Sequence, residues 1–264
     1  MIEKITNFAL ETNINNLIMK KLSLITLIMA VVAMCHVVPA AAQQQNTLKY
    51  KKALFIGAHP DDPETCAGGT MILMKQMGCD VVSVYLTGGE SGIKGKTHEE
   101  AAAIRRIESA DACKVMGVRS LWVGQIDGYT EVNRERYAQM KAIIEAENPD
   151  VVFTHWPIDS HRDHRACSLL VYDAWRQLDH SFELYYFEAM TGLQSMNFTP
   201  DEYVDISSTV DLKHKAIMCH ATQEPEWMID EWHAPMEKLR GNEFQCKAAE
   251  AFIHQRWRTT ELFK

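Results

Sequence analysis

Two short stretches hold most of the side chains able to do chemistry. The first is Ala58-His59-Pro60-Asp61-Asp62-Pro63-Glu64, directly after the apolar run Ala53 to Gly57. The second is His161-Arg162-Asp163-His164, shortly after Val151-Val152-Phe153-Thr154-His155. His59, Asp62 and His164 supply two imidazoles and a carboxylate, a set that binds a divalent metal and leaves positions for water and substrate. Asp61 is poorly placed to share that metal, because successive side chains diverge. It is free to act as base toward the water, whose pKa zinc lowers to about 7. His161 and His164 are three apart and share a face on the first turn of a helix. With His164 on the metal, His161 overhangs the same cavity, where it can protonate a leaving amine or stabilise a tetrahedral oxyanion. Asp163 lies between them and is a candidate to orient one imidazole.

Each stretch alone has an ordinary explanation, since Asp62-Pro63 is a helix start with an N-cap carboxylate and surface histidines are common. Together they define a site. The same ligands also form the facial triad of a non-haem Fe(II) oxygenase, so zinc and iron both fit the residues. The spare carboxylate Asp61 favours hydrolysis, and a non-catalytic glycan-binding domain would not need His161. A nucleotide-binding module is disfavoured, because neither G-x-G-x-x-G nor a P-loop follows the first apolar run. Trp156, Tyr185 and Tyr186 have faces suited to a sugar ring but read as core.

The elements that must position these residues alternate between β-rich runs and helical stretches, which indicates a Rossmann-like α/β fold of three layers with a mostly parallel sheet. Strands are expected over Ala53 to Ala58, Asp80 to Thr87, Ser120 to Val123, Val151 to His155, Phe182 to Glu188 and Tyr203 to Ile206. Helices are expected from Asp62 to about Met77, Glu99 to Met116, Glu131 to Glu147, Asp163 to Leu178, near Asp211 to Ala221, and Pro235 to Ile253. The pair Gly68-Gly69 allows close packing, and Asp127-Gly128 forms a turn. Both histidine-rich stretches follow strand carboxyl ends, where open α/β sheets gather their ligands.

At 264 residues, 47% apolar, the chain can bury a substantial core. Its formal charge of −8 and lack of a basic cluster argue against nucleic acid as a partner. Met19-Lys20-Lys21, the apolar run Leu22 to Ala33 and Pro39-Ala40-Ala41-Ala42-Gln43 read as a signal peptide over residues 19–42, cleaved near Ala42. The apolar run is shorter than the roughly 20 residues that span a bilayer, so no transmembrane span is expected in the mature chain. A lipid anchor on Cys35 is disfavoured by Met34 before it. Residues 1–18 read as an extension from an upstream start codon, and 48–264 as one domain. The later cysteines, Cys66, Cys79, Cys113, Cys167, Cys219 and Cys246, have irregular spacing without C-x-x-C, so free thiols are expected.

From Ala53 to Gln223 the chain resembles the LmbE-like, or PIG-L, family of zinc-dependent N-acetylglucosaminyl deacetylases. The resemblance rests on Ala58-His59-Pro60-Asp61-Asp62, Thr87-x-Gly89-Glu90-x-Gly92, Arg105-x-x-Glu108 with Gly117-Val118, Asp127-Gly128, His161-x-Asp163-His164, Asp205-Ile206 and His220-x-x-Gln223. It implies His59, Asp62 and His164 as zinc ligands, Asp61 as general base, and His161 as the group that assists the leaving amine, with Asp163 as its partner. Arg105 and Asp127 match positions that hold the sugar. The implied reaction releases acetate from an N-acetylated amino sugar or glycoconjugate. Two departures stand out. Pro63 displaces Glu64 from the place directly after the second aspartate, leaving Glu64 without a role, and Arg162 stands where the family usually has proline.

Overall fold

Seven strands form one sheet in the order β3-β2-β1-β4-β5-β7-β6. In the computed structural model, residues 49–257 are described. In chain order these are β1 (Lys52–Gly57), α1 (Asp62–Gln76), β2 (Asp80–Thr87), α2 (His98–Met116), β3 (Arg119–Gln125), α3 (Arg134–Glu147), β4 (Val151–His155), α4 (Arg162–Gln177), β5 (Glu183–Phe187), β6 (Glu202–Asp205), α5 (Val210–Ile217), α6 (Pro225–Met228), a π-helical turn (Ile229–His233), α7 (Ala234–Phe244) and β7 (Ala249–Gln255). The sheet is parallel from β3 to β5, and β7 runs antiparallel to both β5 and β6. The expected signal peptide, upstream extension and Cys35 lie outside the described residues. Among the described residues no helix is long and apolar enough to cross a membrane.

The central strands are buried on both faces, so they read as continuous apolar runs. Leu54 and Ile56 of β1 pack with Val82 and Val84 of β2 against Ile144 of α3 and Leu170 of α4. The alternate residues Ala53 and Phe55 pack with Val81 and Phe153 against Met71 of α1 and Met116 of α2. This period of two, with helices on each side, makes the three layers of a Rossmann-like fold.

After β1 the chain steps outward through β2 and β3, then returns to the other side of β1 as β4, with Ala53 opposite Val151 and Ile56 opposite Thr154. The β1–β4 junction is therefore the topological switch point, and the loops beyond both strands open into one crevice. Gly57 lets α1 start there, because a Cβ on it would lie 2.6 Å from Asp62 Cβ and 2.7 Å from Pro63 Cδ. Gly69 does the same further along, where a Cβ would meet Ile206 Cγ2 at 2.6 Å.

Three expectations need correction. The helix expected over Pro235 to Ile253 ends at Phe244, and Ala249–Gln255 forms β7 between β5 and β6. A short stretch such as Ala248 to Ile253, apolar except for Glu250, has no decisive period, and its Ala-rich start has helix propensity. Pairing with two neighbours overrides it. Second, Asp62 is the first helical residue rather than the cap; Asp61 holds the N-cap position and its side chain makes no capping bond. Third, α3 begins at Arg134 behind the N-cap Asn133, whose Oδ1 accepts from two backbone N–H groups, rather than at Glu131. The six cysteines of the described residues are all free, four of them buried.

Candidate active site

The crevice beyond β1 and β4 is a cleft of about 450 Å³ lined by His59, Asp61, Asp62, Arg105, Asp127, His161 and His164, among others. His59 and Asp61 come from the β1–α1 loop, Asp62 from the first turn of α1, Asp127 from the β3–α3 loop, and His161 and His164 from the start of α4. His161 is the N-cap of α4, where its Nδ1 accepts from Asp163 N at 3.3 Å. That fixes the imidazole with Nε2 free to act.

Asp62 is the hub. Its Oδ2 accepts from His59 N at 2.7 Å and lies 3.3 Å from His59 Nδ1, while its Oδ1 lies 3.4 Å from His164 Nε2. Burial favours the neutral acid, but the charge on His164 outweighs it and holds the carboxyl well below its usual range. Metal-sized groupings of donor atoms occur at His59-His161-His164, at Asp62-His155-His164 and at His59-Asp127-Asp163, all within 4.8 Å of one another in each set. The expected ligands thus meet through Asp62 but share the site with neighbouring donors. Burial lowers the proton affinity of His59 and His164, yet the surrounding carboxylates raise it, His164 to about 9. Such a field favours a cation, and the oxygen and nitrogen donors suit a divalent one.

The far nitrogens of the two candidate ligand histidines face carboxylates. His59 Nε2 lies 3.3 Å from both Asp163 Oδ2 and Asp127 Oδ1. His164 Nδ1 lies 3.2 Å from Asp159 Oδ1, at ion-pair distance but outside hydrogen-bond alignment. This carboxylate–histidine pattern leaves His59 Nδ1 and His164 Nε2 aimed at Asp62. It corrects one expectation. The Asp163 carboxylate serves His59 rather than His161, and it is held by Gly128 N and Thr130 Oγ1, each at 2.7 Å. Those donors and His59 overcome burial and keep Asp163 well below the normal carboxylate range.

Asp61 sits beside the donor set with φ of 132° and ψ of −30°, a conformation that L-residues rarely adopt. Arg105, buried in α2, donates to Asp61 Oδ2 at 2.8 Å and to the Pro60 carbonyl. Burial raises the Asp61 carboxyl to about 6, with Arg105 pulling the other way. A carboxylate near that value can take a proton at neutral pH. Arg105 was expected to hold substrate; it lines the cleft, but its guanidinium is engaged with the β1–α1 loop. Asp127, also expected to hold substrate, is buried with Oδ2 accepting from Ser91 N at 3.1 Å, and its Oδ1 is turned to His59.

Sequence reasoning missed His155, Asp159 and the role of Glu64. His155, at the end of β4, stacks on His164 with ring centroids 3.9 Å apart, and its Nε2 accepts from Ala58 N at 3.0 Å. Burial, reinforced by His164, holds it neutral with a pKa of about 4. Asp159 also caps the approach to α4, accepting from His161 N at 2.7 Å and Ser195 Oγ at 3.2 Å. Glu64 points away from the cleft into the α1–β2 interface, where Ser83 Oγ donates at 3.1 Å and Tyr85 OH donates as well. Burial raises its carboxyl to about 7. Its work is structural, fixing the first turn of α1 on β2.

The profile of the PIG-L family, described as GlcNAc-PI de-N-acetylase, matches residues 54–175. A 4-oxalmesaconate hydratase from Pseudomonas putida is 25% identical over 70% of this chain and 79% of its own length. Diacetylchitobiose deacetylase from Thermococcus kodakarensis is 30% identical over 69% of this chain and 73% of its own. The chain belongs to the PIG-L, or LmbE-like, family. The solved N,N'-diacetylchitobiose deacetylase from Pyrococcus horikoshii superposes with a TM-score of 0.70 at 26% identity, covering 80% of this chain and 86% of that one. The shared architecture is the LmbE-like deacetylase fold. With deacetylases among its relatives, this member of the PIG-L family is an enzyme that hydrolyses an amide.

Proposed function

We propose that the chain is an exported, zinc-dependent deacetylase that removes the acetyl group from an N-acetylglucosamine-type sugar or glycoconjugate and releases acetate. The observation that carries this reading is the Asp61 carboxylate, beside the metal donors but outside them and pinned by Arg105 at 2.8 Å. A base in that position is what amide hydrolysis needs. The relatives named as diacetylchitobiose deacetylases supply the sugar.

His59, Asp62 and His164 would hold the metal, with the side chains of Asp159, Asp163 and Asp127 fixing the two imidazoles. When bound, zinc supplies Lewis-acid polarisation of the acetamide carbonyl and acidifies water. Asp61 removes a proton from the attacking water, which adds to the carbonyl carbon. His161, stacked edge-on against His59 at 4.7 Å between centroids, faces the collapsing intermediate. It steadies the oxyanion and relays to the departing nitrogen the proton that Asp61 took from the water. The C–N bond breaks to give acetate and the free amino sugar.

The test is release of acetate together with a new primary amine by the zinc-loaded full chain, without oxygen, across a panel of N-acetylated sugars. Stoichiometric release supports the reading. A requirement for Fe(II), oxygen and a reductant would replace it with the oxygenase reading. Water addition to an unsaturated acid with no acetate formed would replace it with a hydratase. Export rests on Met19 to Gln43, and is tested by finding the amino terminus of the secreted protein near Gln43. Secretion without cleavage, or retention in the cytosol, would refute it.

A further inference from the structure

One wall of the cleft has no task in the hydrolysis. It comes from the short 3₁₀ turn Ala221–Gln223, α6 and the π-helical turn, and brings Glu224, Trp227, Met228, Trp232 and His233 to the cavity. Two anchors place this wall against α2 and the β2–α2 loop. Thr222 donates to Glu108 through its N at 2.8 Å and its Oγ1 at 2.9 Å, and Gln223 Nε2 donates to Gly92 O at 3.3 Å.

Trp227 and Trp232 meet edge to face, with centroids 4.2 Å and planes 65° apart, and Trp227 remains 48% exposed. A single π-helical turn inside helical chain is uncommon and recurs at functional sites. Here it carries Trp232 and His233 to the cavity on successive residues. His233 is 2% exposed, and neither of its ring nitrogens has a hydrogen-bond partner among the described residues. An orphaned buried imidazole is unfavourable until something completes it. Burial, with Lys213 nearby, lowers its pKa to about 3. The ring is therefore neutral, with one donor and one acceptor, which matches a hydroxyl group.

The charges around the cleft point to the same class of ligand. Among the described lining residues Arg105 is the one lysine or arginine, and it is engaged by Asp61 and Pro60. Glu224, on this wall, is acidic. A phosphate or carboxylate on the substrate would find no free cationic side chain here.

We propose that Trp227, Trp232 and His233 form a subsite for a second, neutral sugar ring joined to the ring that carries the acetamide. This rests on the deacetylase reading and narrows its substrate to an N-acetylated oligosaccharide. The indoles cover the C–H face of a pyranose and His233 bonds one of its hydroxyls.

The test compares wild type, Trp227→Ala and Trp227→Phe on N-acetylglucosamine and on N,N'-diacetylchitobiose, reading kcat and KM for acetate release. Wild type should favour the disaccharide. Trp227→Ala should reduce kcat/KM roughly tenfold more for the disaccharide than for the monosaccharide, chiefly through KM, the scale of a lost aromatic contact. Trp227→Phe should restore most of that difference. Equal losses on both sugars, or no loss on either, would overturn the subsite while leaving the deacetylase reading intact. So would a wild-type preference for the monosaccharide or for an anionic conjugate. If no sugar yields acetate, the deacetylase reading fails and fluorescence titration decides the subsite. A saturable indole response to N,N'-diacetylchitobiose that Trp227→Ala abolishes would sustain it, and no response would refute it.

Discussion

Replacing Asp61 by glycine and by alanine should separate backbone strain from chemistry. Both variants lose the carboxylate and its bond to Arg105, so both should lose turnover by roughly 10²- to 10⁴-fold, the range for a general base. Their stabilities should differ in an unusual direction. At an unstrained site alanine is more stable than glycine by about 0.4–1 kcal/mol, because glycine leaves the unfolded chain more freedom. At φ of 132° a Cβ is penalised, and residues held in such sparse regions cost about 1–3 kcal/mol. Subtracting one from the other leaves Asp61→Gly more stable than Asp61→Ala by about 1 kcal/mol. With a urea dependence of about 2 kcal/mol per molar, that is a midpoint difference of roughly 0.5 M. Urea unfolding followed by tryptophan fluorescence, with bound metal measured alongside, makes the comparison. An alanine variant as stable as the glycine variant, or more so, would refute strain at Asp61. Loss of metal from both would instead move Asp61 into the ligand set.

His161→Ala should keep its metal and slow acetate release by about 10²- to 10⁴-fold; unchanged release in a steady-state assay would remove its role. Asp159→Asn should weaken metal binding by roughly 10- to 100-fold, as expected when the carboxylate behind a ligand histidine is neutralised, and a competition titration with a chromophoric chelator would read it. For acid stability, burial would raise the Glu237 carboxyl, but Lys213 and His214 hold it at about 2 against a normal 4.5. A depressed carboxyl stabilises the fold above its unfolded value and loses that contribution as pH falls from about 4.5 toward 2. Glu237→Gln should therefore flatten the acid side of a stability profile measured by urea unfolding at stepped pH; an unchanged slope would contradict the pairing.

The layers and the site were legible where one residue carries a local constraint. Ala53 to Gly57, buried on both faces, announces a central strand, and Gly117, with φ of 74°, ends α2 where expected. The convergence of His59 and His164 followed from strand ends alone. What stayed hidden depends on partners remote in sequence. His155 reads as the last residue of a β-branched strand until β4 pairs beside β1 and Ala58 N turns to its ring. The Asp163 carboxylate looks like a partner for adjacent His161, but the helix start sends it to Gly128, Thr130 and His59. The turn at 229–233 has neither a helical nor a strand period, so the wall with Trp232 and His233 could not be placed.

The departure at Pro63 also acquires a physical meaning. Proline at the second helical position fixes the first turn of α1 at a point where Asp61 is already in a strained conformation. The turn is clamped from both sides. Glu64 ties it to Ser83 and Tyr85 of β2, and Asp61 O accepts from Thr65 N at 2.8 Å and Thr65 Oγ1 at 2.9 Å. Further along α1, Glu250 of β7 accepts from Gly69 N at 2.9 Å and Thr70 N at 2.8 Å, and Lys213 balances that carboxylate at 2.9 Å. The unexpected β7 strand therefore reaches the active site through α1. A helix anchored at its start by Glu64 and in its middle by Glu250 has little freedom to relax the backbone at Asp61. That rigidity keeps the base beside the metal donors instead of among them.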